Sequence, residues 1–407
     1  MIRQKETFPK NTLPLFQQHY LTEDMLLFDI ETTGLSSARN RIYCIGCGYL
    51  SGEEIAIELF FAENPAQEKS ILDAFLELLD THSTVITFNG TTFDIPFLMK
   101  RMAHWGYRTK SASDSARDIF SSEGSGTSSA NRTTLSENPA SVDLYREAAG
   151  MKPLLRLSSY RQKSIEQFLG CSREDRYDGG QLIEIYHRYV SHPDQQLLSL
   201  LLLHNLEDVR GMFDLLGLLS YHQLRDGQFE ITETFTESSQ TDQFETPKTF
   251  SEFSGKSFCY ADTSGADSSS YYNIRFRTEY PLPQSIHQIC GDATLLLKCD
   301  GCLIRYPIRH GCLKHFFPDY ENYYYLPEED YAAHKSIGVF VDSAHRKKAT
   351  RKTCYAKKEC DYITAPARCS DGSLCKTYRD KNIYLIIPAA PEDAKSFLTK
   401  HFANNFF

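Results

Sequence analysis

The stretch LLFDIETTGLSS, residues 26–37, decides how the whole chain is read. An apolar run ends at Asp29, and Glu31 stands two positions on. Side chains alternate across a β-strand, so both carboxylates project from one face. Neighbouring carboxylates repel and lose solvation. A strand tolerates that pair mainly when a cation sits between them. The TTGL that follows carries Gly34, which permits a turn. Asp-x-Glu alone is a common chance pattern, and the DYE at 319–321 is one such occurrence with no role assigned.

Length and composition bound the answer. A chain of 407 residues favours two domains, and 41% hydrophobic against 24% charged residues describes a globular, core-forming protein. No apolar run reaches the roughly 18 residues that span a bilayer. The N-terminal MIRQKETFPKNTLPLFQQHY has no secretory h-region, so a cytoplasmic protein with no membrane partner is expected. The 12 cysteines are then reduced thiols. Charge is uneven: residues 256–407 hold 21 Lys+Arg against 17 Asp+Glu, leaving 23 against 36 in residues 1–255. If the acidic part handles nucleic acid, cations and the basic part must offset its field.

Two stretches break the pattern. Residues 108–141, rich in Ser, Thr and Asn, read as a mobile insertion, and the acidic, polar residues 224–255 read as an interdomain linker. Ahead of the insertion, MLLFDIET, RIYCIGCGYL and EIAIELFF are strands, the last two a hairpin. NPAQEKSILDAFLELLD is a helix capped by Asn64, STVITF a strand, and FDIPFLMKRMAHWG a helix. VDLYR ends a further strand, and SIEQFLG, GQLIEIYHRYV and a long helix led by Pro193 follow. Residues 20–223 therefore form an α/β domain with three leading antiparallel strands.

Three pieces carry chemistry. Beside Asp29 and Glu31, TFNGTTFDIPFL sets Asn89 at a strand end and Asp94 in the first turn of a helix. There Asp94 is either an acid favoured by the helix dipole or a ligand. In LLLHNLEDVRGMF, His204 and Asp208 share a helical face next to the core, a pattern that an ordinary His–Asp pair also produces. Together Asp29, Glu31, Asp94 and Asp208 make an all-oxygen ligand set with open positions, which suits Mg²⁺ or Mn²⁺ better than Zn²⁺. Two such ions about 4 Å apart can clamp an in-line phosphodiester displacement.

The order Asp-x-Glu, Asn-x₄-Asp, His-x₃-Asp resembles the DnaQ-like DEDD 3′–5′ exonucleases of the ribonuclease H-like fold. FDIETTGL, TFNGTTFDIPFL, SIEQFLG and HNLEDV are similar more closely to the bacterial YprB-like family of predicted exonucleases, over about residues 20–220. The resemblance implies a ribonuclease H-like mixed sheet flanked by helices, two divalent cations held by the four acids, and single-stranded DNA or RNA as substrate. It implies that Thr32, Thr33, Gly34 and Asn89 meet the terminal nucleotide. In DEDD enzymes a Tyr four residues before the final Asp, or a His five before it, positions the attacking water. Here His204 stands at the Tyr spacing, so it either takes the water-positioning role or merely packs behind the ligands. Asp143, at the end of VDLYR, is a minor candidate for ligand or substrate binding and otherwise a turn residue.

Residues 256–407 read as a second α+β domain of unknown fold and role. Asp300-Gly301 makes a type I′ turn within DATLLLKCDGCLIRYPI, which argues against a zinc knuckle at Cys299 and Cys302. HRKKATRKTCYAKK, residues 345–358, together with YENYYYLPEEDY is either a basic and aromatic nucleic-acid surface or a solvated face. The expected function is a metal-dependent 3′–5′ exonuclease with Asp29, Glu31, Asp94, His204 and Asp208 as catalytic residues. The competitor is a non-catalytic nucleic-acid-binding or scaffold protein that keeps the fold.

Overall fold

The structure is a computed structural model and describes residues 1–107, 140–238, 270–368 and 373–407. The chain divides into two units, Met1–Ser220 and Tyr221–Phe407. The expected insertion at 108–141 lies outside the described residues up to 139; residues 140 and 141 already belong to a strand.

The first unit is built on one mixed sheet. Its strands are β1 (Ile2–Pro9), β2 (Met25–Thr32), β3 (Ile42–Ser51), β4 (Glu54–Phe61), β5 (Thr84–Thr87) and β6 (Ala140–Asp143), in the spatial order β1-β4-β3-β2-β5-β6. β1 through β2 pair antiparallel, while β5 and β6 join β2 in parallel. The helices are α1 (Leu15–Tyr20), α2 (Glu68–Leu79), α3 (Asp94–His104), α4 (Leu144–Gly150), α5 (Lys152–Leu155), α6 (Gln162–Leu169), α7 (Gly179–Ser191) and α8 (Gln195–Leu215). The sequence reading began this domain at residue 20. The structure adds β1, an edge strand along β4, whose half-buried, half-exposed alternation carries little apolar signal.

Period-2 alternation in β2 divides its side chains between two cores. Leu26, Phe28 and Ile30 pack with Ile71, Phe75 and Leu79 of α2 and with Ile95, Leu98 and Met102 of α3. A buried ion pair fixes that layer: Arg101 Nε and Nη2 donate to Glu68 at 2.8 and 2.6 Å. Glu68 also accepts from Ile42 N and Trp105 Nε1, and Arg101 donates to Ser37 O, so every charge is hydrogen-bonded. Asp29 and Glu31 point to the opposite face, which α8 covers.

Close approach of α8 depends on glycine in β3. A Cβ built on Gly46 would lie 2.2 Å from Asn205 Oδ1 and 2.7 Å from Val209 Cγ2, and one on Gly48 would lie 2.6 Å from the Phe213 ring. Nothing larger than hydrogen fits between strand and helix at Gly46.

The second unit is a sheet-rich α+β domain. It holds α9 (His222–Asp226), β7 (Phe229–Ser238), β8 (Ser270–Thr278), β9 (Ile286–Cys290), β10 (Ala293–Leu297), β11 (Cys302–Pro307), β12 (Arg309–Phe316), β13 (Tyr323–Leu326), β14 (Tyr331–His334), α10 (Lys335–Gly338), β15 (Lys347–Lys348), β16 (Tyr355–Pro366), β17 (Leu374–Cys375), β18 (Asn382–Ile386) and α11 (Pro391–Asn405). They form sheets ordered β7-β8-β11-β10-β9, β17-β12-β16-β18 and β14-β13-β15. The linker expected over 224–255 does not hold at 229–238: these residues pair along the length of β8, alternating side chains in a strand whose acidic face meets Arg275 and Arg277. The rest of that stretch, 239–255, lies outside the described residues. β10 and β11 form a hairpin, but not through the expected type I′ turn, since neither Asp300 nor Gly301 has the positive φ it requires; Cys299 is exposed, and Cys302 donates its thiol to Lys298 O. No helix among the described residues is long and apolar enough to cross a membrane.

The Gly46 packing yields a test. Gly46→Ala is expected to destabilise the protein by about 1–3 kcal/mol through overpacking, while Gly150→Ala, with nothing within 4 Å of its added Cβ, stays near the parent. Urea denaturation of both variants measures the difference; equal midpoints would contradict the packing account.

Candidate active site

The acids meet on the α8 face of β2. The ladder between β2 and β3 slips between Glu31 and Thr32, where Glu31 faces Cys44 and Thr32 faces Ile42. The slip leaves Tyr43 over, a bulge of the kind found beside active sites. Tyr43, stacked on Tyr186 at 4.1 Å, donates its hydroxyl to Glu31 Oε2 at 3.4 Å. Asp94, at the start of α3, is 5% exposed and accepts the Ile30 N–H at 3.3 Å. From α8, Asn205 donates to Asp29 Oδ2 at 2.8 Å. His204 Nε2 stands 3.3 Å from Glu31 Oε1 and 3.2 Å from Asp208 Oδ2. The structure thus brings Asp29, Glu31, Asp94, His204 and Asp208 into one cluster.

The other sequence candidates surround it with different duties. Thr32 donates to Gly34 O, and Thr33 Oγ1 accepts the Arg41 N–H, so both hydroxyls close the loop after β2. Gly34 has a φ of +149°, and a Cβ there would meet the Asn40 side chain at 2.8 Å. Asn89 has φ +61°, donates its N–H to Asp143 at 2.8 Å, and lines an open pocket with Phe88, Tyr145, Tyr160 and Arg161. Asp143 caps α4 and accepts from Asn89, Thr91 and Tyr145, so its carboxylate is fully used in holding that turn.

A short segment between α6 and α7 supplies residues that sequence reasoning missed. Arg173 bonds Asp208 Oδ1 and both carboxylate oxygens of Glu166. Glu166 is buried on α6, and Gly211 makes room for it, since a Cβ there would fall 1.9 Å from Glu166 Oε1. Gln162 donates to Asp208 O at 2.7 Å. Asp175 takes the Nδ1 side of His204, and Glu207 accepts the backbone N–H groups of Glu174 and Asp175. The residues of this segment, CSREDRYD, follow no helical or strand period. Glu166 and Asn205 lie within SIEQFLG and HNLEDV, segments that entered the sequence reading only as motifs of the family resemblance.

Electrostatics follow from burial and like charge. Burial, then Asp94, Asp208 and Glu31, hold Asp29 well above the usual carboxylate range. Burial pushes Glu31 up to about 7, with His204 pulling it back in part. Burial raises Asp94 to about 7 against its backbone hydrogen bonds. Asp208 goes the other way: burial opposes its ionisation, but His204 and Arg173 hold it below the ordinary value. Burial opposes a charge on His204, yet Asp208, Glu31 and Asp175 lift it to about 9.

This donor set fits a hard divalent cation. Among the described residues, Glu31, His204 and Asp208 offer ligand atoms that all lie within 4.8 Å of one another. Carboxylate oxygens suit a divalent cation, and the raised acids are those a cation would return to their ionised form.

With that geometry established, comparison with known proteins gives one family match. Residues 26–220 match the family model for the RNase H superfamily. The first unit, a mixed sheet flanked by helices, is consistent with the ribonuclease H-like fold. No curated protein matches the chain. Among solved structures, the family B DNA polymerase from the hyperthermophilic archaeon Pyrobaculum calidifontis is similar at 18% identity and a TM-score of 0.35, over 50% of this chain and 25% of that chain. The chain spans about a quarter of the polymerase's length.

The cluster predicts how stability follows pH. Glu31, Asp94 and His204 bind their protons more tightly folded than unfolded, so their stabilisation is complete below the unfolded values and lost as pH rises through about 7 to 9. The Tm in EDTA should therefore fall across that window. Glu31→Gln removes one buried charge and should raise the Tm in EDTA at pH 8 by about 2–6 °C while cutting the stabilisation by added Mn²⁺. A lower Tm in EDTA for the variant would contradict this electrostatic picture.

Proposed function

We propose that this ribonuclease H superfamily segment is a metal-dependent nuclease, a 3′–5′ exonuclease on single-stranded DNA or RNA. Asp29, Glu31, Asp94 and Asp208 are its ligands for two divalent cations, Mg²⁺ or Mn²⁺. The observation that carries the reading is the convergence of four carboxylates from β2, α3 and α8, three of them holding protons more tightly than free acids do. An uncompensated cluster of this kind opposes folding near neutral pH. Cations bound there supply charge stabilisation to the attacking and leaving oxygens of the phosphodiester.

The chain's own groups account for the remaining steps. His204 holds its second proton because of the acids around it; with cations offsetting those acids it would be neutral and would accept a proton at Nε2 from the attacking water between Glu31 and Asp208. Water adds to phosphorus, the bond to the 3′-oxygen breaks, and that oxygen takes a proton from solvent, releasing a 5′-mononucleotide. The pocket of Phe88, Asn89, Tyr145, Tyr160 and Arg161 is linked to the acids by two chains of contact. On one side Asn89 is tied to Asp143, whose charge acts on Asp94. On the other, Arg161 precedes Gln162, which bonds the backbone of Asp208. Aromatic rings with a guanidinium suit stacked bases and a phosphate. Thr32, Thr33 and Gly34 shape the turn on which the terminal nucleotide rests.

One observation favours the non-catalytic reading. Both oxygens of Asp208 are already bonded, one by Arg173 and one by His204. A nucleic-acid-binding protein that keeps the fold would use those bonds in place of a cation.

Strands labelled at the 3′ or the 5′ end, as DNA and as RNA, separate the two in Mn²⁺ and in EDTA. The exonuclease releases the 3′ label early as mononucleotide and shortens the 5′-labelled strand stepwise, and EDTA stops both. Asp29→Asn and Asp208→Asn should abolish hydrolysis, and Tyr160→Ala should raise KM about tenfold with kcat kept. Binding without cleavage of any strand would establish the non-catalytic reading.

A further inference from the structure

His204 does not stand free among the acids; its other nitrogen is held from behind. Nδ1 lies 2.6 Å from Asp175 Oδ2, and since a carboxylate can only accept here, Nδ1 carries the proton. Asp175 is buried at 8% exposure although it sits in an irregular segment. It is itself over-determined: Lys163 Nζ donates to the same oxygen at 2.7 Å, and Tyr177 N–H donates to Oδ1 at 3.0 Å. Its backbone N–H donates to Glu207 Oε2 at 2.9 Å, and Glu207 lies one residue before Asp208 on α8. Lys163 also reaches Tyr177 O at 2.8 Å, closing the ring of contacts. A buried carboxylate held by two donors besides His204 is costly to assemble if a turn is all that is required.

We propose that Asp175 is the positioning residue of the site: it fixes His204 with the proton on Nδ1 and so presents Nε2 to the space between Glu31 and Asp208. Once the ring has given up the Nε2 proton that in this structure faces Asp208 Oδ2 at 3.2 Å, its lone pair is aimed at the position assigned to the attacking water. With the proton on the other nitrogen, the ring would present an N–H there and accept nothing. Lys163 keeps Asp175 ionised, which a buried carboxylate next to a neutral ring otherwise resists. The arrangement also accounts for the His204 spacing, one residue nearer the final Asp than in the His-type enzymes of the family that the sequence resembles. The ring's direction is set by Asp175, from a separate segment, and not by helical position alone.

This inference rests on the proposed role of His204, so its test carries one readout that needs no activity. In the full chain with ¹⁵N-labelled histidine, a low-field Nδ1 proton resonance should be present, vanish in His204→Gln, and vanish or move strongly in Asp175→Asn. Its absence from the parent protein overturns the proposal even if no strand is cleaved. In the nuclease assay, Asp175→Asn should lower kcat about 100-fold, with KM and the Mn²⁺ dissociation constant within about threefold. The double variant Asp175→Asn/His204→Gln should be no worse than His204→Gln alone, because both remove one function. A retained Mn²⁺-induced rise in Tm shows that the variant has folded. Unchanged kcat in an active parent, or losses that multiply in the double variant, would overturn the positioning role. If the parent is inactive but the resonance behaves as expected, the exonuclease reading fails while the Asp175–His204 pairing stands.

Discussion

Burial of four neighbouring carboxylates, with the repulsion it intensifies, is the constraint to which the first unit is built. Asp29, Glu31 and Asp94 each hold a proton more tightly than a free acid, chiefly through burial, and Asp208 escapes only because His204 and Arg173 flank it. Each acid is then held by a group from another element: Asn205 on Asp29, Tyr43 on Glu31, the Ile30 N–H on Asp94. These holders need space. Gly46 lets α8 lie against β3 so that Asn205 reaches Asp29, and Gly211 admits Glu166 and with it Arg173. A well-packed core on the far side of the sheet, fixed by the buried Glu68–Arg101 pair, offsets the instability that the acids introduce.

Much of this was readable from residue spacing because regular elements translate spacing into direction. The period of two put Asp29 and Glu31 on one face, and the four-residue step put His204 and Asp208 on one side of α8. The hairpin of β3 and β4 and the cap at Asn64 followed from local chemistry. What was not legible lay where spacing has no fixed meaning. Arg173 and Asp175 belong to a segment whose path is set by ion pairs to α6 and α8, not by any repeat. β1 and β7 were passed over because their strands are polar and half exposed, and only their partners β4 and β8 make them strands.

The second unit carries its charge differently. Arg346 and Lys335 lie over the Tyr324 ring, Arg351 over Tyr320 and Lys314 over Tyr355, so several of its cations are already placed on aromatic faces. Asp330 accepts from Tyr325 of β13 and Tyr355 of β16, which ties two of the sheets together. The two readings of residues 345–358 both fit these contacts, and the acidic first unit is where the chemistry is concentrated.

The central claim is that divalent cations compensate the carboxylate cluster. Crystals of the full chain soaked in Mn²⁺, with diffraction collected at the manganese absorption edge, test it most directly. The account predicts anomalous peaks bounded by Asp29, Glu31, Asp94 and Asp208. A well-ordered cluster without any anomalous peak, with Arg173 and His204 still bonded to Asp208, would contradict it.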